Sequence, residues 1–426
     1  MTLVGVLFFG FLAFGLPVGI VLGVSGLVGL YLMGGGRVFL MVPERMFAGL
    51  DIFPFIAMPL FILAGELMNR TGITDSLVRL ATSLVGWFRG GLAHSNMIAS
   101  VLFAGITGSA TADAAAFGNT FVPAMVKAGY SRAYACAVTA AGSIIGPTIP
   151  PSSIAVVYGS IMSVSIAGLF AAAILPGLLI CAACMAVIAV MADREGLPAG
   201  TGRPSLREIG HALSKSVGAI LLPVFIIGSI VTGVATPTEA AALSVAYALL
   251  LGAVVYRSIN RDVLYISLVR TARLTGVIFL IIATASILSW WMAFNQIPQM
   301  VASAIFAIST DPSVVIALII VLLLLVGMVM DNSATLLVLV PVLVPILDRV
   351  GMDPVHAGIV IILSLNISLM TPPVGACLFV LASVTGEKVE AIARKLWPYI
   401  LAEVAVLLLV AYWPAVTMSL PRLFDL

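Results

Sequence analysis

Four short polar clusters interrupt a chain that is 62% hydrophobic and only 9% charged. The first reads Thr107-Gly108-Ser109-Ala110-Thr111-Ala112-Asp113. The second runs from Ser143 through Gly146 and Thr148 to Pro150-Pro151-Ser152-Ser153. The third is Asp331-Asn332-Ser333-Ala334-Thr335, and the fourth runs from Asn366 through Ser368 and Thr371 to Pro372-Pro373. Hydroxyls, side-chain amides and backbone carbonyls are hard oxygen donors suited to Na⁺. Proline has no N–H and clashes with the carbonyl one turn back, so a Pro-Pro pair inside an apolar helix frees carbonyls above the break. The half-helix that restarts beyond it presents N–H groups and a positive dipole end to a carboxylate. Asp113 and Asp331 are costly at membrane depth, and each needs a partner or water there. For a single hydroxyl, a bond to its own helix backbone is an equally good reading. Four clusters in matched places favour a binding role.

Other chemistries find little support. A phosphate-binding loop needs Gly-Lys-Ser/Thr. The four lysines follow Val126, Ser214, Glu387 and Arg394, so none fits. His94, His211 and His356 lie near expected membrane edges, so no catalytic triad or metal set is expected and no cofactor is implied. Cys181 and Cys184 form a CxxC inside an apolar helix and read as small packing residues, because no second pair converges on them. Four cysteines in 426 residues imply no disulfide framework. The net charge of +2 says nothing about partners, and nothing points to nucleic acid.

The elements that must position these clusters are apolar helices. The hydrophobic residues come in long blocks such as Val314–Met330, not in alternating ten-residue strands. Only a helix or a closed barrel satisfies its backbone inside lipid. Spans are expected near 3–33, 52–70, 165–191, 216–233, 237–257, 275–293 and 396–418. The first is too long and too uncharged at its start for a cleavable signal. Two more spans, 132–160 and 355–384, carry the Pro-Pro breaks. The stretches 92–126 and 313–347 are broken at mid-depth and read as re-entrant hairpins. Amphipathic pieces at 73–89, 260–273 and 296–306 are expected along the interface. With 192–215 on the cytoplasmic side, 16 of the 20 basic residues fall inside, leaving Arg37, Arg45, Arg349 and Arg422 outside. That asymmetry follows the positive-inside rule, with the N-terminus cytoplasmic and the C-terminus periplasmic.

An internal repeat organises the chain at an offset of 222. Pro123 matches Pro345, Gly129 matches Gly351, Ala135 matches Ala357, and Pro150-Pro151 matches Pro372-Pro373. Five expected spans separate the two hairpins. Five is odd, so the hairpins enter from opposite faces. An inverted repeat with broken helices at mid-membrane is a secondary-transporter architecture. The expected fold is therefore an all-α polytopic membrane protein. Its parts are scaffold helices and arm at 1–91, a first transport half at 92–160, connecting scaffold at 161–312, a second transport half at 313–384 and a C-terminal helix at 385–426.

Three further signals are structural. Thr236-Pro237-Thr238-Glu239 is a capping box with Pro at the first helical position. Glu66, followed by Arg70, and Glu403, near Trp397 and Tyr399, read as interfacial residues. Gly15, Gly19 and Gly23 let a helix approach closely, either a neighbour within the chain or another subunit.

The motifs Pro59–Asn69 (Pro-Leu-Phe-Ile-Leu-Ala-Gly-Glu-Leu-Met-Asn), Gly108-Ser109, Gly146–Ser152, Thr236–Glu239, Met330-Asp331, Gly351–Gly358 and Thr371–Gly375 together give a specific signature. Through them the chain resembles, nearly end to end, the large membrane subunit of tripartite ATP-independent periplasmic (TRAP) transporters. The resemblance implies a Na⁺-coupled importer of organic acids such as C4-dicarboxylates, 2-oxo acids or sialic acids. It implies a bacterial inner-membrane location, a small four-helix membrane subunit, a periplasmic solute-binding protein and an elevator-type movement. It places Na⁺ around Ser109 and Thr371. Ser368 stands where the family commonly has Gly, which leaves the backbone of that cage open. The alternatives are a stand-alone Na⁺/dicarboxylate symporter of similar fold, an intramembrane enzyme or a channel.

Overall fold

A computed structural model describes residues 2–71, 73–200, 202 and 204–426, less the side chains at 37, 73–75, 105–107 and 206. Of the residues singled out above, the side chains of Arg37 and Thr107 lie outside that set, as does Arg203, one of the 16 basic residues expected inside.

Every regular element among the described residues is helical. The chain opens with α1 (Thr2–Ala13), α2 (Val18–Gly34), α3 (Val42–Leu50) and α4 (Ala57–Arg70), then α5 (Ile73–Val85). The first hairpin is α6 (Gly91–Thr107) and α7 (Ala110–Lys127). The first broken helix is α8 (Arg132–Ser143), the single turn α9 (Ile145–Thr148) and α10 (Ser153–Met162). Then come α11 (Ile166–Met191), α12 (Leu206–Val231), α13 (Pro237–Leu250), α14 (Arg261–Phe294) and α15 (Ile297–Ile308). The second hairpin is α16 (Pro312–Gly327) and α17 (Asn332–Arg349), and the second broken helix is α18 (Pro354–Ser368) and α19 (Ala376–Thr385). α20 (Val389–Tyr412) and α21 (Ala415–Leu423) close the chain. Six of the described helices are long and apolar enough to cross a membrane, or up to eight spans if each of two bent pairs counts as one.

Three boundaries correct the sequence reading. The single span expected at 3–33 is two helices. Gly15 takes a left-handed φ of 74° and Pro17 follows it, which ends one helix and starts the next. The interfacial piece expected at 260–273 is the first part of α14, a continuous helix of 34 residues. At 1.5 Å per residue α14 is about 51 Å long, well beyond the ~30 Å hydrocarbon layer. Glu66 on α4 steadies the protruding part, reaching Arg270 at 3.1 Å and Arg70 at 3.4 Å. The last span, expected at 396–418, ends at Tyr412, and Pro414 starts α21.

The repeat holds at single-residue register. Adding 222 to the limits of α7 gives those of α17, and adding 222 to the start of α8 gives the start of α18. The halves interlock. α7 of the first hairpin packs on α19 of the second broken helix, while α17 of the second hairpin packs on α10 of the first. Gly118 makes room for Leu381 and Val384 at the first of these contacts; a Cβ there would lie 3.0 Å from Leu381. The paired cores bury Phe103, Phe117, Phe121, Tyr134, Tyr158 and Phe170.

Of the glycines singled out in the first span, Gly19 and Gly23 face inward, while Gly15 is exposed at the turn between α1 and α2. α2 packs along α14, with Gly19 against Ile281, Gly23 against Thr284, Gly26 against Ile287 and Gly29 against Trp291. The close approach belongs to the chain's own packing.

Candidate functional site

The first hairpin turns at Gly108, whose φ of 58° is left-handed. A Cβ on Gly108 would lie 3.1 Å from the Pro151 carbonyl oxygen, so the hairpin tip abuts the break of its own half. Ser109 is the N-cap residue of α7 and its hydroxyl lies 3.3 Å from that of Thr111. One turn on, Asp113 is fully buried and faces Gly146, where any side chain would run into its carboxylate. Asp113 thus sits at the dipole-positive end of α7, inside the first break.

Above that break, the hydroxyl hydrogens are committed to backbone. Ser143 donates to Ala140 at 2.7 Å, Thr148 to Ile144 at 2.7 Å, and Ser152 to the Pro147 carbonyl at 2.6 Å. The second break repeats this. Ser368 donates to Leu365 at 2.6 Å and Thr371 to Ile367 at 2.7 Å. A hydroxyl whose hydrogen is held this way keeps its lone pairs as acceptors. The backbone-bonding reading and the ligand reading are thus compatible. Both Pro-Pro peptide bonds are cis.

The second hairpin turns between Gly327 and Asp331. Asp331 is exposed and caps α17, its Oδ1 accepting the Ser333 N–H at 2.9 Å, while Thr335 donates to its carbonyl at 2.9 Å. Asp331 therefore finds its partner in the helix end it caps, whereas Asp113 points into the core. Gly327 provides the space for Ser368: any side chain at 327 would strike the Ser368 hydroxymethyl group. This is how the chain accommodates a serine at 368.

A buried polar bridge joins three of the clusters. The Asn332 amide donates to Asn366 Oδ1 at 3.0 Å, and the Asn366 amide donates to Thr148 Oγ1 at 3.0 Å. None of the three is more than 2% exposed. The second hairpin, second helix and first break are thereby tied together.

The two half-helix starts differ. α10 is capped by its own Ser152, which accepts the Ala155 N–H at 3.5 Å, and Pro150 and Pro151 are buried. α19 begins at Gly375 with no side-chain cap, and Pro373 and Val374 beside it are exposed. Of the two dipole-positive ends, that of α19 is the reachable one.

Sequence reasoning missed one pair of faces. Asn96 on α6 donates to Thr139 on α8 at 2.8 Å, and Gly142 leaves room for Ser100. The signal was there as Asn96 and Ser100 four apart on one helix, facing Thr139 and Gly142 three apart on the other. Glu403 corrects an expectation. It is fully buried between α20 and α11, where the Cys184 thiol donates to it at 3.2 Å. Of the two aromatics that suggested an interface, Trp397 is exposed, but Tyr399 is buried and donates to the Tyr134 hydroxyl at 2.9 Å. The capping box at Thr236 and Glu239 is present as expected.

Comparison with known proteins extends this geometry. The chain is 40% identical to the sialic acid TRAP transporter large permease protein SiaM of Vibrio cholerae, over 97% of each chain. It is 35% identical to the 2,3-diketo-L-gulonate TRAP transporter large permease protein YiaN of Escherichia coli, over 95% of each. It is also 35% identical to the C4-dicarboxylate TRAP transporter large permease protein DctM of Pseudomonas aeruginosa, over 89% of this chain and 88% of that one. In three dimensions it is similar to the YdaH transporter of Alcanivorax borkumensis, with a TM-score of 0.65 at 14% identity, covering 96% and 98% of the two chains. Residues 5–416 match the family model described as the tripartite ATP-independent periplasmic transporter, DctM component. With that match across nearly its whole length, the chain belongs to the DctM family of TRAP transporter large permeases, and it is a polytopic membrane protein and not an enzyme.

Proposed function

We propose that this permease carries a small organic acid across the bacterial inner membrane together with Na⁺, receiving it from a periplasmic binding protein and working beside a small membrane subunit. The observation that carries the reading is the set of hydroxyls at the two breaks. Their hydrogens are pinned to backbone carbonyls 2.6–2.7 Å away, which leaves preorganised oxygen lone pairs beside each hairpin tip. Na⁺ takes such donors from Ser109 with the first break and from Thr371 with the second. The uncapped, exposed start of α19 suits the substrate's carboxylate. The relatives' substrates, sialic acid, 2,3-diketo-L-gulonate and C4-dicarboxylates, all carry one. The interlocked hairpins and broken helices then move as one body against the surrounding helices.

The test is uptake of these three acids into proteoliposomes holding the permease with its small subunit, with and without binding protein, under an inward Na⁺ gradient. Uptake should require Na⁺ and loaded binding protein. Ser109→Ala and Thr371→Ala should each raise the Na⁺ needed for half-maximal uptake roughly fivefold, the equivalent of about 1 kcal/mol for one lost neutral contact. Uptake that is indifferent to Na⁺, or unchanged half-saturation in both variants, rules out these cages. Efficient uptake of free substrate without the binding protein marks a stand-alone symporter instead.

A further inference from the structure

A cavity of about 520 Å³ opens between α5 and the start of α12, with no residue of the four clusters in its lining. Arg207, His211 and Lys215 line it from α12, spaced four apart and so on one helical face. Arg79 lines it from α5. The acidic residue among the lining groups, Glu208, caps its own helix, its Oε2 accepting the Ser205 N–H at 2.9 Å, and its one negative charge stands against those of Arg79, Arg207 and Lys215. Among the described residues, Arg79, Arg207 and Lys215 form no ion pair. Below the cavity, Ser216 donates to the Ser76 carbonyl at 3.0 Å and locks the two helices together. At its rim, Tyr256 donates to the Lys215 carbonyl at 3.0 Å.

An exposed basic face ordinarily spreads its side chains into water. Here three fixed cations converge on one concavity between two packed helices, at the end of the molecule that the distribution of basic residues places in the cytoplasm. We propose that this cleft binds a phosphate-bearing anion. Guanidinium forks match phosphate oxygens two at a time and lysine adds a point charge. The phosphate comes either from an anionic phospholipid of the adjacent leaflet, which is where basic pockets between membrane helices recruit headgroups, or from a soluble phosphate. α5 also packs against α6. An anion bridging α5 and α12 therefore steadies the base from which the first hairpin rises.

The experiment uses the full chain, purified in mild detergent. Native mass spectrometry counts retained lipid after addition of phosphatidylglycerol or phosphatidylethanolamine, and thermal shift reads the response to inorganic phosphate. The wild type should retain phosphatidylglycerol over phosphatidylethanolamine, or be stabilised by phosphate at millimolar levels; which of these occurs names the source. Arg79→Gln and Arg207→Gln should each weaken binding roughly tenfold or more, as expected for loss of one charge-assisted contact. Lys215→Arg, which keeps the charge, should retain it. No preference for either anion, or equal binding by a folded Arg79→Gln/Arg207→Gln variant with an unchanged melting temperature, overturns the proposal.

Discussion

Ser368 and Gly327 divide one space between them. The serine hydroxymethyl group occupies the volume that a side chain at 327 would need, at the point where the second hairpin meets its break. Overpacking of this kind costs about 1–3 kcal/mol. Gly327→Ala should therefore lower the melting temperature, whereas Ser368→Gly should be tolerated and should restore Gly327→Ala to near the parent value. The double-mutant cycle measures that coupling; additive effects would show that the two residues do not share the space. At this scale the sequence was half legible. Residue type marked Asp113 and Asp331 as members of polar clusters. It could not say that one faces Gly146 in the core while the other caps a helix in the open, because direction depends on neighbours far away in the chain. Glu403 shows the same limit: its partner Cys184 comes from a helix 219 residues away.

At the scale of elements, punctuation made the breaks and hairpins readable. Pro-Pro pairs forbid a regular helix where they stand and located the breaks, while the polar residues interrupting two apolar stretches at mid-depth located the hairpins. Continuity was harder. Arg261–Arg273 is amphipathic whether it lies on a membrane surface or begins α14, and only Glu66, reaching Arg270 from α4, shows where it stands. The glycine face of α2 is a third case, since spacing announces close approach without naming the neighbour. That neighbour is α14, and at Gly29 a Cβ would lie 2.8 Å from the Trp291 ring. Gly29→Ala should lower the melting temperature, again by the cost of overpacking, and leave the subunit stoichiometry measured by light scattering unchanged. A shift in stoichiometry with stability intact would move this face to a subunit boundary.

For the whole molecule, the 222-residue register makes a geometric demand. Lys127 and Arg349 are the last residues of α7 and α17, equivalent ends of equivalent hairpin arms. The parity of the five spans expected between the hairpins predicts opposite faces for those ends. Lys127→Cys should therefore react with an impermeant maleimide only from the cytoplasmic side, and Arg349→Cys only from the periplasmic side. The four native cysteines are buried, so they leave the background low. Labelling of both from one side would contradict an inverted arrangement. The topology expectation rests on charge asymmetry and span parity, global counts that tolerate errors of several residues at each boundary. The interlock of each hairpin with the other half's broken helix was not legible, since no local pattern encodes which helix lies beside which.

The polar bridge of Asn332, Asn366 and Thr148 lies in one half of this symmetry only. Shifted by 222, its members fall on Ala110, Ile144 and Met370, which have no groups to form it. Each of its hydrogen bonds is worth about 1 kcal/mol when made and costs more when a buried partner is left unsatisfied. A carrier built as two mirrored halves would, by symmetry alone, rest equally in its two facing states. One unmirrored bridge breaks that symmetry. Because all three residues belong to the hairpins and broken helices proposed above to move as one body, it fastens that body from one side only and leaves the preference between facing states to the contacts the body makes with the surrounding helices.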